Sequence, residues 1–451
     1  MRIPMRRSRR KVLARGRRLR FSAVTLAVLA WACADTSQAQ LITEFGVPTV
    51  GSGPLGIASG PDGNIWFTEN TGNKIGRITP AGVITEFPLP VPNSSLQYIT
   101  AGPDGNVWFA EGRGAIGRIT PTGVITEFPT PINGPSGITA GPDGNIWFVE
   151  RNFRIGRITT AGVVSDFPIP TAGNQAIRIG AGADGNLWFT EAGGDKVGRI
   201  TTAGVMTEFP IPTVGADALG ITAGPDGNMW FIEKAGNIGR ITPAGAITEF
   251  PARSGEAITL GPYGQLWFVE DDGKIGRMTT AGVVIDYPIP GGSNSSPVDI
   301  TTGPDGNIWF TELNGNKIGR LTPPCSDNGL TLCLNNFRFR VSATFVTANS
   351  TESGPAVRLG EDGAGAGQAV KLTDDSGYFW FFTAGNVELI VKALNGCSFN
   401  GSYWVFAAGL TNVGVTITVT DTLTNTVKTY LSPLNTAFQP IQDTSAFAAC
   451  P

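Results

Sequence analysis

Histidine is absent from all 451 residues, and this gap closes off more chemistry than any other feature of the composition. Imidazole is the side chain whose ordinary pKa lies between pH 5 and 8. Without it, histidine-based nucleophile relays and proton shuttles are excluded, and so are zinc sets that mix Cys with His. No Gly-x-Ser-x-Gly elbow and no Walker loop is present either. Charge is thin, 15% of residues against 41% hydrophobic, which is a globular balance. Apolar runs long enough to span a bilayer are missing beyond the N-terminal region. Glycine (61) and proline (32) are plentiful, which favours many short strands joined by tight turns over long helices.

The first 20 residues carry ten Arg or Lys and no acid, followed by an apolar run at 21–31 and the small-residue stretch Ser37-Gln38-Ala39. That is the layout of a secretory signal peptide over residues 1–39, so the protein is expected to be secreted or periplasmic. Removing it leaves 23 basic and 35 acidic side chains, a net charge of −12. A surface this acidic repels phosphate backbones, and nucleic acid is excluded as a partner. After signal removal no transmembrane helix is expected. Four of the five cysteines, Cys325, Cys333, Cys397 and Cys450, lie in the last third of the chain. An even number in an exported chain points to two disulfides; the preferred pairing is Cys325 with Cys333 and Cys397 with Cys450, one of three possible.

Between these ends the sequence repeats itself. Gly-Pro-Asp-Gly-Asn-Ile-Trp-Phe and close variants recur at Trp66, Trp108, Trp147, Trp188, Trp230, Trp267 and Trp309, spaced by 42, 39, 41, 42, 37 and 42 residues. Seven copies of this length predict an all-β, seven-bladed β-propeller over residues 40–323, each blade a four-stranded sheet. The first unit parses into strands at 56–59, 64–69, 75–79 and 83–87, with Pro61-Asp62-Gly63 as a tight turn expected to be of type I′ or similar. The phase is informative. The outer-strand signature first occurs as Ile42-Thr43-Glu44-Phe45, before any Trp-Phe copy, and the last unit ends at Thr322 without one. The N-terminal strand is therefore expected to complete the last blade, which removes exposed edges. A two-residue turn at Ala81-Gly82 places Arg77 opposite Glu86, and by closure Arg320 opposite Glu44, with Trp66 on the other side of Arg77. A set present in every blade reads first as blade packing.

After Pro323-Pro324 the repeat stops. Residues 324–451 contain alternating apolar runs at 337–345, 377–382, 387–391, 403–406 and 413–419, which predict a C-terminal β-sandwich-like domain.

The sequence Trp-Phe-Thr-Glu at 66–69, Ile-Gly-Arg-Ile-Thr at 75–79 and Ile-Thr-Glu-Phe at 84–87, repeated through all the blades, resembles virginiamycin B lyase, the streptogramin lyase family. The resemblance covers residues 41–323. It implies opening of a cyclic depsipeptide antibiotic by elimination, with histidine as base, nearby carboxylates and a magnesium ion. The family's two functional histidines precede by two positions the inner-strand isoleucine of the last two blades, and those positions, before Ile258 and Ile300, hold Glu256 and Val298. One expected carboxylate position holds Ser296; another falls on Leu313, beside Glu312. Valine moves no proton, and Glu256 is the one catalytic candidate, a substitute base if burial raises its pKa.

Glu69, Glu111, Glu150, Glu191, Glu233, Glu270 and Glu312 end the second strands and are candidate ligands for Mg or Ca, since hard cations want several oxygens; local hydrogen bonding is the alternative. The Asp62-Gly63-Asn64 loops carry too few carboxylates for a calcium loop. Loops entering the inner strands vary most, at 93–98, 133–136, 174–178, 253–256 and 293–299, and Gln97, Tyr98, Arg178, Arg253 and Glu256 are the ligand-binding candidates there. The leading expectation is a non-catalytic module binding a small molecule, a glycan or an extracellular protein. The alternative is a magnesium-dependent lyase that linearises streptogramin B antibiotics. A sugar-lactone hydrolase would need a calcium channel rich in carboxylates, which only the glutamate set offers.

Overall fold

The computed structural model describes residues 42–448, apart from 132–133, 151–152, 172, 174, 324, 326–329, 336–337, 348–363, 374, 383–386 and 423–425. The expected signal peptide, Asn133, Asn174, Phe337 and Cys450 lie outside the described residues.

The first unit folds as β1 (Ile42–Gly46), β2 (Pro54–Ser59), β3 (Ile65–Glu69), β4 (Lys74–Ile78) and β5 (Ile84–Pro88). β2 to β5 form an antiparallel sheet in chain order, and six further four-stranded sheets repeat it. The inner strand of each sheet packs on the inner strands of its two neighbours, the first also on the last, which makes a closed ring of blades. β1 is the outer strand of the seventh sheet, paired from Ile42 opposite Leu321 to Gly46 opposite Lys317. Lys317 Nζ reaches Glu44 at 2.6 Å, and the Asn316 side chain takes the Ser52 amide at 2.8 Å.

Blade packing accounts for the sequence of β3. Every residue of it is buried, because both faces of each sheet are covered by neighbouring sheets. Trp66 stacks on Phe87 with ring centroids 5.6 Å apart, and its cluster includes Val107 and Phe109 of the next blade. Trp309 does the same against Ile65 and Phe67 of the first blade, so the packing also runs through the closure. Gly76 lies opposite Phe67, where a Cβ would come within 2.1 Å of the ring. The Ile-Gly-Arg triplet thus makes room for the aromatic.

The outer hairpin is one residue out of the expected register. Trp66 does face Arg77, but Arg77 faces Thr85, and Glu86 faces Gly76. The turn is longer than two residues: the Gly82 amide bonds to Thr79 O and the Thr79 amide to Val83 O, with Gly82 at φ +91°. This is a three-residue loop with a left-handed glycine, and a one-residue shift flips side chains to the other face. Glu86 therefore pairs with Lys74 at 2.7 Å, and Arg77 lies over Trp66 and Phe87, 5.5 Å from each ring. At the closure Glu44 likewise meets Lys317, and Arg320 caps Phe45 and Trp309. The inner turn is not type I′ either. Gly60 N bonds to Asn64 O and Gly63 N to Gly60 O, with positive φ at Gly63 but not at Asp62. The Asp62 carboxylate serves as its anchor, taking the Trp66 indole N–H at 3.0 Å.

Beyond the ring, the C-terminal segment forms two five-stranded sheets. One runs Thr331–Leu334, Phe339–Val346, Gly414–Asp421 and Val427–Ser432, with Ala364–Ala366 paired to Phe339–Val346. The other runs Gln368–Thr373, Ser376–Trp380, Leu389–Gly396, Ser402–Gly409 and Ile441–Phe447. Both contribute alternate residues to one core, including Phe339, Phe345, Phe379, Val391 and Val405. Cys325 and Cys333 form a disulfide, and Cys397 is also disulfide-bonded.

Candidate functional site

The inner strands all contain an irregularity before the isoleucine that recurs from blade to blade, as between Pro54 and Ile57. Such bulges re-aim side chains. In four blades the residue just before that isoleucine is small: Gly56, Gly137, Gly220 and Ala257. A Cβ on Gly56 would lie 2.7 Å from the Tyr98 backbone, which is why the crowded centre needs glycine there. The other three blades place Tyr98, Arg178 and Asp299 at this position. They meet in the middle of the ring, in a small cavity of ≈160 Å³. Asp299 accepts from Arg178 Nη2 at 3.0 Å and from the Ile57 amide at 2.9 Å, and the Arg178 guanidinium lies 3.2 Å over the Tyr98 ring. Burial alone would lower the Arg178 pKa, but the Asp299 charge more than offsets this and raises it. The cluster is a brace that ties together side chains from the second, fourth and seventh blades.

Threonine hydroxyls hold this brace. Thr190 Oγ1 accepts from the Arg178 amide at 3.3 Å and donates to Leu219 O at 2.7 Å; Thr311 Oγ1 accepts from the Asp299 amide at 3.1 Å and donates to Leu55 O at 2.8 Å. Each hydroxyl links adjacent inner strands.

A second, off-centre cavity of ≈280 Å³ shares Tyr98 with the first. Its lining adds Leu55, Glu256, Asp271, Ser296, Pro297, Val298 and Leu313. The sequence positions aligned by resemblance with catalytic groups, Glu256, Ser296, Val298 and Leu313, are thus brought together. Glu256 is not alone there: Lys234 Nζ bonds to Glu256 and, at 3.0 Å, to Asp271. Burial would lower the lysine pKa, but the two carboxylates raise it, so its ammonium is firmly charged. Ser254 Oγ also donates to Asp271.

This cavity does not fit a magnesium ion. Its carboxylates are engaged by Lys234, and apolar Val298 and Leu313 supply no oxygen side chain. Among the described residues, no three His, Cys, Asp or Glu side chains converge as a ligand set. The glutamates that end the second strands are buried separately, each within its own blade. Burial pushes six of them, Glu69, Glu111, Glu150, Glu191, Glu233 and Glu312, up to about 7. Burial and the charges of Asp286 and Asp272 push Glu270 to about 8. Among the described residues the carboxylate oxygens of Glu150 and Glu191 find no hydrogen-bond partner, and those of Glu270 have none beyond an ion pair with Arg253 Nε at 3.8 Å, an arrangement that favours the neutral acid.

Of the ligand-binding candidates, Tyr98, Arg178 and Glu256 sit on the two cavities, while Gln97 and Arg253 line neither. Gln97 is buried, and its carbonyl accepts from Thr68 Oγ1 at 2.6 Å. Arg253 reaches Asp272 and Asp286, each at 3.3 Å. Asp299, Lys234 and Asp271 were not singled out by sequence reasoning. The signal for Asp299 was available, since it stands where four copies carry Gly or Ala.

The Virginiamycin B lyase family matches residues 34–153, 112–257 and 252–335 in overlapping stretches. A stretch of 41 residues, 9% of this chain, is 51% identical to virginiamycin B lyase from Bacillus licheniformis and spans 14% of that enzyme. Among solved structures, a streptogramin B lyase aligns with a TM-score of 0.59 at 38% identity, covering 62% of this chain and 96% of its own. Virginiamycin B lyase from Staphylococcus aureus aligns with a TM-score of 0.59 at 42% identity, covering 62% and 98%. A catalytically inactive histidine-to-alanine variant of the S. aureus enzyme, with quinupristin, aligns at 41% identity with the same TM-score and coverage.

Proposed function

Because the chain belongs to the virginiamycin B lyase family yet contains no histidine, we propose that it is an exported binding protein that holds a ligand in the cavity beside Glu256 without cleaving it. One observation carries this reading: among the described residues lining the cavity, the only carboxylates, Glu256 and Asp271, are both held by a single lysine. Val298 and Leu313 are apolar, and the two carboxylates are bound by Lys234. Elimination needs a base within hydrogen-bond reach of the proton removed. The S. aureus variant lacking one histidine is catalytically inactive and holds quinupristin, and a histidine-free relative is suited to the same division between binding and chemistry. The basic, then apolar, then small-residue N-terminus supports export. A disulfide, and the absence among described residues of any helix long and apolar enough to cross a membrane, are compatible with it.

The test is incubation of the purified protein with a streptogramin B antibiotic and magnesium, followed by mass spectrometry for the linear product. No product is expected. Turnover that disappears in Glu256→Gln would establish instead a lyase whose base has moved.

A further inference from the structure

Resting on the binding reading above, we infer that the off-centre cavity selects an amphiphile with a protonated amine on a compact apolar body. Two independent features of the cavity converge on this chemistry. Leu55, Pro297, Val298 and Leu313 give it an apolar wall, and burial against such a surface is what an aliphatic or aromatic body gains by entering. Glu256 and Asp271 supply the polar side, with side chains 35% and 38% exposed, so both are reachable.

The charges around this cavity leave a deficit of cation. Lys234 is the ammonium bonded to both carboxylates. The nearby cations are bonded to other carboxylates: Arg253 lies by Asp272, Asp286 and Glu270, Lys274 bonds Asp272 at 2.6 Å, and Arg178 bonds Asp299, its charge felt by Glu256 more weakly than by Asp299. Two carboxylates facing one ammonium leave one negative charge, in a site partly shielded from water where charge pairs are stronger than in bulk. An anionic ligand would have to displace Lys234 or face both carboxylates. A neutral one would gain the apolar wall alone. A protonated amine gains both, and its N–H groups suit oxygens that already accept from a lysine.

The experiment titrates three probes with the same body, hexylamine, hexanol and hexanoate, into the full mature chain at pH 7. Affinities are read by ligand-observed NMR, and melting curves confirm folding. Hexylamine is expected to bind at least tenfold tighter than hexanol, with hexanoate weakest. Glu256→Gln and Asp271→Asn should each weaken hexylamine several-fold and leave hexanol unchanged, while Lys234→Met should tighten hexylamine. Leu313→Trp, which fills the cavity, should abolish binding of every probe. Equal affinities, or preference for hexanoate, with binding still lost in folded Leu313→Trp, would overturn the amine assignment and keep the cavity as a binding site. Failure of every probe to bind, or binding indifferent to Leu313→Trp, would overturn both.

Discussion

Asp299 shows how much can hang on one carboxylate. Its two oxygens hold the buried Ile57 amide and the Arg178 guanidinium, whose side chain is 13% exposed. Asp299→Asn keeps the shape but leaves the arginine charge without its counter-ion, and removing one member of a buried pair costs about 3–5 kcal/mol. Denaturant unfolding measures this, and a loss below about 1 kcal/mol would mean the pair is solvated rather than buried. The indole anchors offer a change of opposite sign. Six tryptophans donate Nε1–H to the aspartate four residues earlier, but Trp267 has Tyr263 at that position and its Nε1 finds no hydrogen-bond partner among the described residues. Tyr263→Asp should therefore raise stability by about 1 kcal/mol, the net value of a hydrogen bond, read as a higher melting temperature. At this scale the sequence was partly legible. Tyr98 and Arg178 stand out as large polar residues in a small-residue context. Lys234 and Asp271 do not, because the fold alone brings them against Glu256.

At the scale of strands and turns, the Trp-Phe and Ile-Gly-Arg signatures located the four strands of the first unit to within two residues. The fourfold sheets and the N-terminal closure were legible from the phase of the repeat. The outer-hairpin register was not, since Ala81-Gly82 reads as a two-residue turn and only the backbone bonds of Thr79 reveal the longer loop. In the C-terminal sheets, Thr331–Leu334, Gln368–Thr373, Val427–Ser432 and Ile441–Phe447 gave no clear signal. Two of them, Gln368–Thr373 and Val427–Ser432, are edge strands with few buried positions, so their alternation is faint. Closure yields a prediction at this scale. Deleting residues 42–46 leaves Lys317–Leu321 with an unpaired edge, so the melting temperature should fall and the protein should self-associate as concentration rises. An unchanged melting curve would show that β1 does not secure the ring.

For the whole molecule, the buried glutamates set the response to pH. Their folded pKa values, about 7 and for Glu270 about 8, lie above the ordinary 4.5. The folded state therefore holds more protons than the unfolded chain across that interval, and stability falls as pH rises through it. The anchors Asp62, Asp104, Asp143, Asp184 and Asp226 shift the opposite way: burial raises their pKa, but indole and amide hydrogen bonds outweigh it and bring it below 3.8. Their contribution is present above that value and is lost in stronger acid. The melting temperature should thus peak between about pH 4 and 5 and decline towards pH 8. A melting temperature that climbs from pH 5 to 8 would show these glutamates to be ionised and paired in the folded protein.

The pairing of β1 with the last sheet also governs the order in which the protein is made. Glu44 and Lys317 are separated by 273 positions, and at roughly 5–20 residues per second a ribosome needs tens of seconds to travel from one to the other. Throughout that interval the earliest-made strand waits without its mate, and no partial product ending short of Leu321 can assemble the final sheet. Assembly of the seventh sheet must therefore await delivery of the complete ring sequence.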